Sequence, residues 1–378
     1  MNFDFSEEQN MLRDSVARFV QDQYDFDTRR RIAESAQGMD EKNWATFAEL
    51  GWLSIPFDEE FGGFGGSVID VAALMEELGK GLVVEPFFPT VVLFGGLLNK
   101  SGNAELQNHY IPKIVEGHCQ GAFAYVERQS RFEMSDIATT ATPTDGSFII
   151  NGEKVVVANG HNADTLIVST RTSGEQFDTH GISLFLVDAS SEGVEKTTYS
   201  MMDGSKVANI RFNNLQVPAA HLLGSLDQGW ELIEAITTEA ITVLSAEALG
   251  IMETLNTATC EYTKIRKQFD VAISTFQALQ HRMVDTFMAY EQAKSMLYRA
   301  LCEWERGDDS MERTIHALKV MMARSGKLVG DEALQIHGGI GMTDELNIGH
   351  YVKRLMTINT QFGNGDFHQQ KFSTANYS

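Results

Sequence analysis

Glycine clusters are the first candidates for chemistry in this chain, because glycine-rich loops can cradle phosphate groups. Gly338, Gly339 and Gly341 have part of the spacing of a dinucleotide loop, but they follow a predicted helix. The dinucleotide fingerprint follows a strand and opens a helix, so a match at these glycines would be a false positive. The sequence also contains no Walker A, HExxH or GxSxG motif. Its β-rich part therefore does not match a Rossmann unit.

Histidine and cysteine side chains are the next candidates, as metal ligands or nucleophiles. His337 and His350 flank the glycine loop, and neither has a partner at ligand spacing, so we expect a polar or structural role for both. Cys119, Cys260 and Cys302 are odd in number and far apart, which supports neither a disulfide framework nor a CxxC metal site. We expect no metal, and thiols kept reduced in the cytoplasm.

Charge and hydropathy exclude several kinds of partner. The 378 residues include 30 basic and 52 acidic side chains, which gives a net charge of −22. Nucleic acids and anionic membranes attract positive surfaces, so neither is an expected partner. The acidic N-terminus lacks the features of a signal peptide, and apolar runs such as 91–98 are shorter than the roughly 18–20 residues that span a bilayer. We expect a cytoplasmic protein without a membrane span.

The elements that must position a site fall into three zones. Residues 1–115 have helical spacing of apolar residues, and Ser6 with Gln9 predicts a capping box at the first helix. Residues 116–224 contain short β-rich runs, with a predicted hairpin turn at Asn151-Gly152. Residues 225–378 return to long helical stretches, at about 226–267, 276–306 and 311–337. This order predicts an α+β fold in which a small barrel or sandwich lies between two helical zones.

Three ordered motifs resemble those of the acyl-CoA dehydrogenase family. They are GWLSIPFDEEFGGFG at 51–65, RKQFD with FQALQH at 266–281, and QIHGGIGM at 335–342. The resemblance covers essentially the whole chain and implies an N-terminal α-helical domain (1–115), a β-barrel (116–224) and a C-terminal four-helix bundle (225–378). It implies an FAD-dependent oxidoreductase of lipid metabolism that converts an acyl-CoA to the 2-enoyl-CoA. An electron-transferring flavoprotein is the electron acceptor that it implies.

The residues that the resemblance assigns to the ADP end of FAD are well represented. In the family, such residues reach into the FAD of a neighbouring subunit. The guanidinium fork of the arginine suits phosphate oxygens, and glycines let the backbone approach a ligand. The matching residues here are Arg266, Phe269, Gln277, Gln335, Gly338 and Gly339.

The residues that would contact the flavin ring differ from those of the family in two motifs. The family usually has TEPGAGSD at the start of the barrel, where this chain has VERQSRFE at 126–133. A second family signature, KxWITNG, is KVVVANG at 154–160. Val126 and Ala158 replace hydroxyl-bearing residues, and Val156 replaces an aromatic ring. Valine and alanine side chains cannot donate the missing hydrogen bonds.

The catalytic base is also missing from both positions that the family uses. Removal of the α-proton needs a carboxylate, but the C-terminal position is Gly363 and the position in the long bundle helix is Ala240. Glu239 points about 100° away from Ala240 around the helix. Glu247 shares its face but lies roughly 10.5 Å along the axis. Glu247 is therefore the candidate for an atypical base, with a supporting carboxylate of the bundle as the alternative.

This pattern of kept and lost residues resembles one subgroup of the family. The segments at 246–250 and 362–368 resemble those of the small subunit of pimeloyl-CoA dehydrogenase and of the β subunits of α2β2 steroid-side-chain acyl-CoA dehydrogenases. The resemblance implies a β subunit whose partner supplies the base and the flavin-ring pocket. A homo-oligomeric dehydrogenase that uses Glu247, and a non-catalytic acyl-CoA or flavin-binding scaffold, stay open as alternatives.

Overall fold

The computed structural model describes residues 5–307 and 311–375, and its first part is helical. The capping box predicted at Ser6 is confirmed, because its side chain accepts from the backbone N–H of Gln9 and the Gln9 side chain accepts in return. The helices before the sheet are α1 (Glu7–Gln23), α2 (Phe26–Glu34), α3 (Glu41–Glu49), α4 (Val68–Lys80), a π-helical segment (Phe88–Gly95), α5 (Gly96–Lys100) and α6 (Ala104–Val115).

The middle of the chain forms one eight-stranded sheet. Its strands are β1 (Gly121–Ala124), β2 (Thr140–Thr144), β3 (Ser147–Ala158), β4 (Thr165–Arg171), β5 (Ile182–Asp188), β6 (Val194–Ser200), β7 (Lys206–Pro218) and β8 (Leu222–Leu223). They are ordered β6-β7-β3-β2-β4-β5-β8, and β1 pairs with β4. Val194 and Leu222, from the two ends of this order, pack against the same apolar core. The sheet therefore curls around its core, as a barrel does.

The hairpin turn predicted at Asn151-Gly152 is wrong. Both residues lie inside β3, where Asn151 pairs with Thr140 and Gly152 pairs with Phe212. A Cβ on Gly152 would lie 2.4 Å from the hydroxyl oxygen of Thr139, so glycine is needed there for a close approach between strands. The actual hairpin connects β2 to β3 through Asp145-Gly146, where Gly146 has a φ of +74°.

The last part of the chain is again helical. Its elements are α7 (Gly229–Ile265), the short strands β9 (Lys267–Gln268) and β10 (Val271–Ala272), α8 (Gln277–Arg306), α9 (Met311–His337), α10 (Ile348–Thr360) and α11 (Gly365–Thr374). α7 is long and apolar enough to span a bilayer, but 83% of its most apolar window is buried within the protein. That degree of burial is the pattern of a core helix.

Compactness divides the described residues into two units. One contains those of Met1–Arg30, Val68–Val83 and Ile241–Ser378, and the other contains Arg31–Ser67 and Val84–Ala240. Within the first unit, α4 and α7 cross at very short range. A Cβ on Gly79 would lie 2.4 Å from the carbonyl oxygen of Glu247, and one on Gly250 would lie 1.9 Å from that of Glu76. This crossing fixes the segment of α7 that contains Glu247.

Candidate functional site

Three helix ends meet at one end of the helical bundle. The Tyr262 hydroxyl, near the end of α7, donates to the carbonyl of His337 at the end of α9, and the two rings stack with centroids 4.3 Å apart. Near the start of α8, Arg282 forms an ion pair with Glu332 of α9. These contacts bring together the end of α7, the start of α8 and the end of α9. The residues predicted to bind the ADP end of FAD lie at or next to these helix ends.

A two-residue hairpin extends from this bundle end. Gln268 pairs with Val271, and the turn residues Phe269 and Asp270 have φ values of +53° and +66°. Two successive positive φ values are those of a type I′ turn. The Phe269 side chain is 88% exposed at its tip and meets the ring of Phe276 edge-on. The hairpin therefore presents an aromatic ring to the exterior.

Arg266 lies at the base of this hairpin. Its backbone is fixed, because its N–H donates to the carbonyl of Tyr262 and its carbonyl accepts from the N–H of Ile273. The guanidinium is exposed and has no hydrogen-bond or ion-pair partner within residues 5–307 and 311–375. An exposed guanidinium without a partner is suited to phosphate oxygens of a bound ligand.

Glutamine and glycine residues complete this bundle end. Gln277 and Gln335 are exposed. No atom of the described chain, apart from immediate neighbours, lies within 4 Å of a Cβ built on Gly338 or Gly339. Their backbone is therefore open to a ligand. His337 has a structural contact here, because its Nδ1 lies 2.8 Å from the carbonyl of Ala333, and burial lowers the pKa of its imidazole.

The two substituted segments, 126–133 and 154–160, lie together where the end of β3 meets the chain that follows β1. The N–H of Val155 donates to the carbonyl of Val126, which joins the two segments. The pairing of β3 with β7 shifts between Lys154 and Val157, and Val156, within this bulge, has a φ of +54° and is 40% exposed. A β-branched residue in this conformation is strained by about 1–3 kcal/mol. The bulge points residue 156 outwards, but valine offers no hydrogen-bond donor.

A buried ion pair, which the sequence reasoning missed, joins these two segments. Lys154 is fully buried and donates to Glu127 at 2.7 Å and to Ser169 at 2.9 Å. The Glu127 carboxylate also accepts from the backbone N–H groups of Ala138 and Thr139. Burial alone would raise the pKa of Glu127, but Lys154 and these hydrogen bonds lower it to about 2. Glu127 and Lys154 lie inside the two substituted motifs, and this position is the signal by which the sequence could have indicated the pair.

Neither position that the family uses for the base contains a carboxylate, and both are closely packed. Ala240 is fully buried on α7. Gly363 has a φ of +104°, and a Cβ there would lie 2.4 Å from the ring of Phe367 and 2.7 Å from His368 Nε2. A glutamate at 363 therefore requires the turn between α10 and α11 to change shape.

Both glutamates near Ala240 are held in ion pairs. Glu247 is 4% exposed, and its two carboxylate oxygens accept from Nε and Nη2 of Arg354 on α10, at 2.5 and 2.8 Å. Glu239 pairs with Lys100 at 2.8 Å. A bidentate arginine favours the ionised carboxylate and occupies both of its oxygens. The geometry of Glu247 is thus that of an ion pair between helices, and its role as a base stays an untested prediction.

Comparison with known proteins matches most of the chain to three family models. Residues 6–118, 122–215 and 227–371 match the N-terminal, middle and C-terminal domains of acyl-CoA dehydrogenase. A curated relative, the probable acyl-CoA dehydrogenase YngJ of Bacillus subtilis (strain 168), is 29% identical over 95% of both chains.

Solved structures are similar over almost the whole chain. The FAD complex of PigA superposes with a TM-score of 0.92 at 26% identity, over 99% of this chain and 98% of that chain. The Tcur3481-Tcur3483 steroid ACAD G363A variant superposes with a TM-score of 0.87 at 25% identity, over 97% of each chain.

Proposed function

The chain belongs to the acyl-CoA dehydrogenase family of FAD-dependent oxidoreductases, and from that premise we propose that it is the small, or β, subunit of a heteromeric enzyme. In this proposal the partner subunit supplies the catalytic base and the flavin-ring contacts. The observation that carries the proposal is a complementarity. The residues expected at the ADP end of FAD are exposed at the bundle end, whereas Ala240 and Gly363 occupy the two base positions.

The bundle end fits the ADP part of FAD. Arg266 would bind the pyrophosphate through its guanidinium fork, and the backbone at Gly338 and Gly339 is open for close approach. Phe269 offers an exposed aromatic face beside them. The residues that we propose for the ADP end are exposed, which suits an FAD whose ring is held by another chain.

The place where the end of β3 meets the chain after β1 fits the flavin ring poorly. Val126, Val156 and Ala158 offer no side-chain donor where the family has hydroxyl-bearing or aromatic residues. In this family, bound FAD would accept a hydride from the β-carbon of the substrate. Removal of the α-proton needs a free carboxylate, and the two glutamates nearest the helix position are paired with Arg354 and Lys100. Both observations favour a partner that completes the site.

An exposed apolar face on α8 supports assembly with another chain. Val284, Phe287 and Met288 are 53%, 56% and 47% exposed and lie three and four residues apart. This spacing places them on one side of the helix. The segments at 246–250 and 362–368 resemble β subunits of α2β2 enzymes, which adds to this support. A homo-oligomer is the alternative assembly.

The substrate is an acyl-CoA, and a steroid side chain, a dicarboxylyl chain and a plain fatty acyl chain are the acyl groups that we consider. The similarity to the Tcur3481-Tcur3483 steroid ACAD favours the first of these. We propose an electron-transferring flavoprotein as the acceptor, because the family resemblance implies one.

The flavin content of the chain, purified alone and with a co-expressed partner, tests the proposal. The partner is a second acyl-CoA dehydrogenase chain that has the TEPGAGSD motif and a carboxylate at one base position. We expect little flavin absorbance from the chain alone, and flavin with turnover from the pair. Flavin and turnover from the chain alone would contradict the proposal and support a self-sufficient enzyme with an atypical base. Flavin without turnover, whether alone or paired, would support a non-catalytic scaffold.

A further inference from the structure

A buried histidine, His368, and a half-buried one, His316, lie behind the turn that joins α10 to α11, and the proposed function does not use them. His316 on α9 and His368 on α11 have their Nδ1 atoms 2.9 Å apart. The Nε2 atom of His368 lies 2.8 Å from the carbonyl oxygen of Phe362, in the turn itself. The two rings therefore connect α9 to the backbone of the turn.

His316, His368 and the Phe362 carbonyl form a row of hydrogen-bonded atoms, and this row determines which ring nitrogens are protonated. The Phe362 carbonyl can only accept, so His368 Nε2 must donate to it. In a neutral imidazole the other nitrogen is then an acceptor, so His368 Nδ1 must accept from the N–H on His316 Nδ1. When both rings are neutral, the hydrogen bonds therefore run in one direction, from His316 through His368 to Phe362.

The turn depends on side-chain donors because its backbone has an unusual shape. Phe362 and Gly363 have φ values of +56° and +104°. Lys319 on α9 donates to the carbonyls of Ile358 and Gln361, and the Asn364 side chain caps the start of α11. Loss of the His368 bond would therefore remove one of the side-chain contacts that fix this turn.

The surrounding charges oppose a proton on His368. Burial is the main reason that the pKa of His368 is lowered to about 4, and the nearby charges of Lys319 on α9 and Lys371 on α11 lower it further. Burial also lowers the pKa of His316, although Glu312 on α9 lies 4.0 Å from its Nε2 and favours a proton there. Burial lowers the pKa of Lys319 to about 7.

The sign of the pH dependence follows from these shifts. An ordinary histidine titrates near pH 6.5, so the unfolded chain binds more protons than the folded chain between about pH 6.5 and 4. The stabilisation by neutral His368 is therefore complete above that window and is lost as the pH falls through it. A first added proton leaves the row intact, because the hydrogen between the two Nδ1 atoms can sit on either ring; a second proton, which makes both rings cationic, places two N–H groups against each other.

We propose that His316, His368 and the Phe362 carbonyl form an acid-sensitive latch that docks the C-terminal helix α11 and releases it when both histidine rings are protonated. The release is local, because the hydrogen bonds of the latch join α9, α11 and the turn before α11. The same turn occupies the C-terminal base position of the family, so acid would open that position.

Hydrogen exchange of the full-length chain at pH 7.5 and pH 5.0, corrected for intrinsic rates, tests the latch. We expect peptides over 361–374 to lose at least tenfold more protection at pH 5.0 than peptides from α8. In His368→Gln the amide nitrogen keeps a donor near the Nε2 position and does not titrate, so this extra loss should disappear. His180→Gln is the matched control, since His180 is exposed in a loop of the other compact unit, and it should behave as wild type.

Unchanged protection of 361–374 at pH 5.0 in the wild type, or the same loss in His368→Gln, would overturn the proposal. If His368→Gln does not fold, the tautomers of the wild-type histidines give a second test. NMR of the ¹⁵N-histidine-labelled chain at pH 7.5 should show the proton on Nδ1 of His316 and on Nε2 of His368. The reverse assignment would refute the latch.

Discussion

Replacing Arg354 with methionine should lower the free energy of unfolding by about 3–5 kcal/mol, because it leaves a buried carboxylate without its partner. Glu247 is 4% exposed, and both of its oxygens accept from this one guanidinium. Urea denaturation of wild type and variant measures the difference. Lys327→Met is the matched control, because Lys327 pairs with Asp331 at the surface and its loss should cost at most about 1 kcal/mol.

The double variant Glu247→Met/Arg354→Met separates the pair from simple loss of packing. Apolar replacement of a whole buried ion pair is often neutral or stabilising, so the double variant should recover most of the lost stability. A cost below about 1 kcal/mol for Arg354→Met alone would show that Glu247 does not depend on Arg354. Glu247 would then be available for other chemistry, and the structural interpretation of the pair would be wrong.

Replacing Arg266 with alanine should weaken FAD binding in the assembled enzyme by roughly 10- to 100-fold. Each charge-assisted hydrogen bond to the pyrophosphate contributes about 1.5–3 kcal/mol, and a tenfold change corresponds to about 1.4 kcal/mol. The guanidinium has no other partner in the described part of the chain, so its loss should leave the fold intact. Flavin fluorescence during titration with FAD measures the dissociation constant.

Two further variants test the chemistry at this position. Arg266→Lys keeps the charge but loses the fork, so its FAD affinity should lie between those of wild type and alanine. Lys267→Ala removes a neighbouring charge from the same hairpin and should change the affinity by less than about threefold. An unchanged dissociation constant for Arg266→Ala would remove Arg266 from the cofactor site.

Local signals in the sequence predicted several elements well. The capping box at Ser6 and the bounds of α9, Met311–His337, follow from residues close together in the chain. The Asn151-Gly152 dipeptide misled, because its turn preference yields to pairing with Thr140 and Phe212 on two neighbouring strands. Those partners become visible only when the sheet has formed.

The candidate site shows the same limit. The spacing between Ala240 and Glu247 placed both on one face of α7, but Arg354 is 107 residues away and reaches Glu247 only through the packing of α10. The ion pair between Lys154 and Glu127 depends likewise on contact between β3 and the segment after β1. Motif positions thus indicated which residues to consider for the site, whereas helix and strand packing decided which of them are held in ion pairs.

In the proposed enzyme the base for the α-proton lies in the partner subunit, and Glu247→Gln provides the sharpest test of that assignment. The measurement is the rate of flavin reduction by acyl-CoA in the assembled enzyme under single-turnover conditions. Flavin content and unfolding free energy are measured in parallel, because the variant also changes the pair with Arg354. A catalytic base contributes on the order of 10²–10⁴ in rate. We predict a rate within about threefold of wild type; a folded, flavin-loaded variant that loses about a thousandfold in this step would contradict the β-subunit assignment and make Glu247 the base.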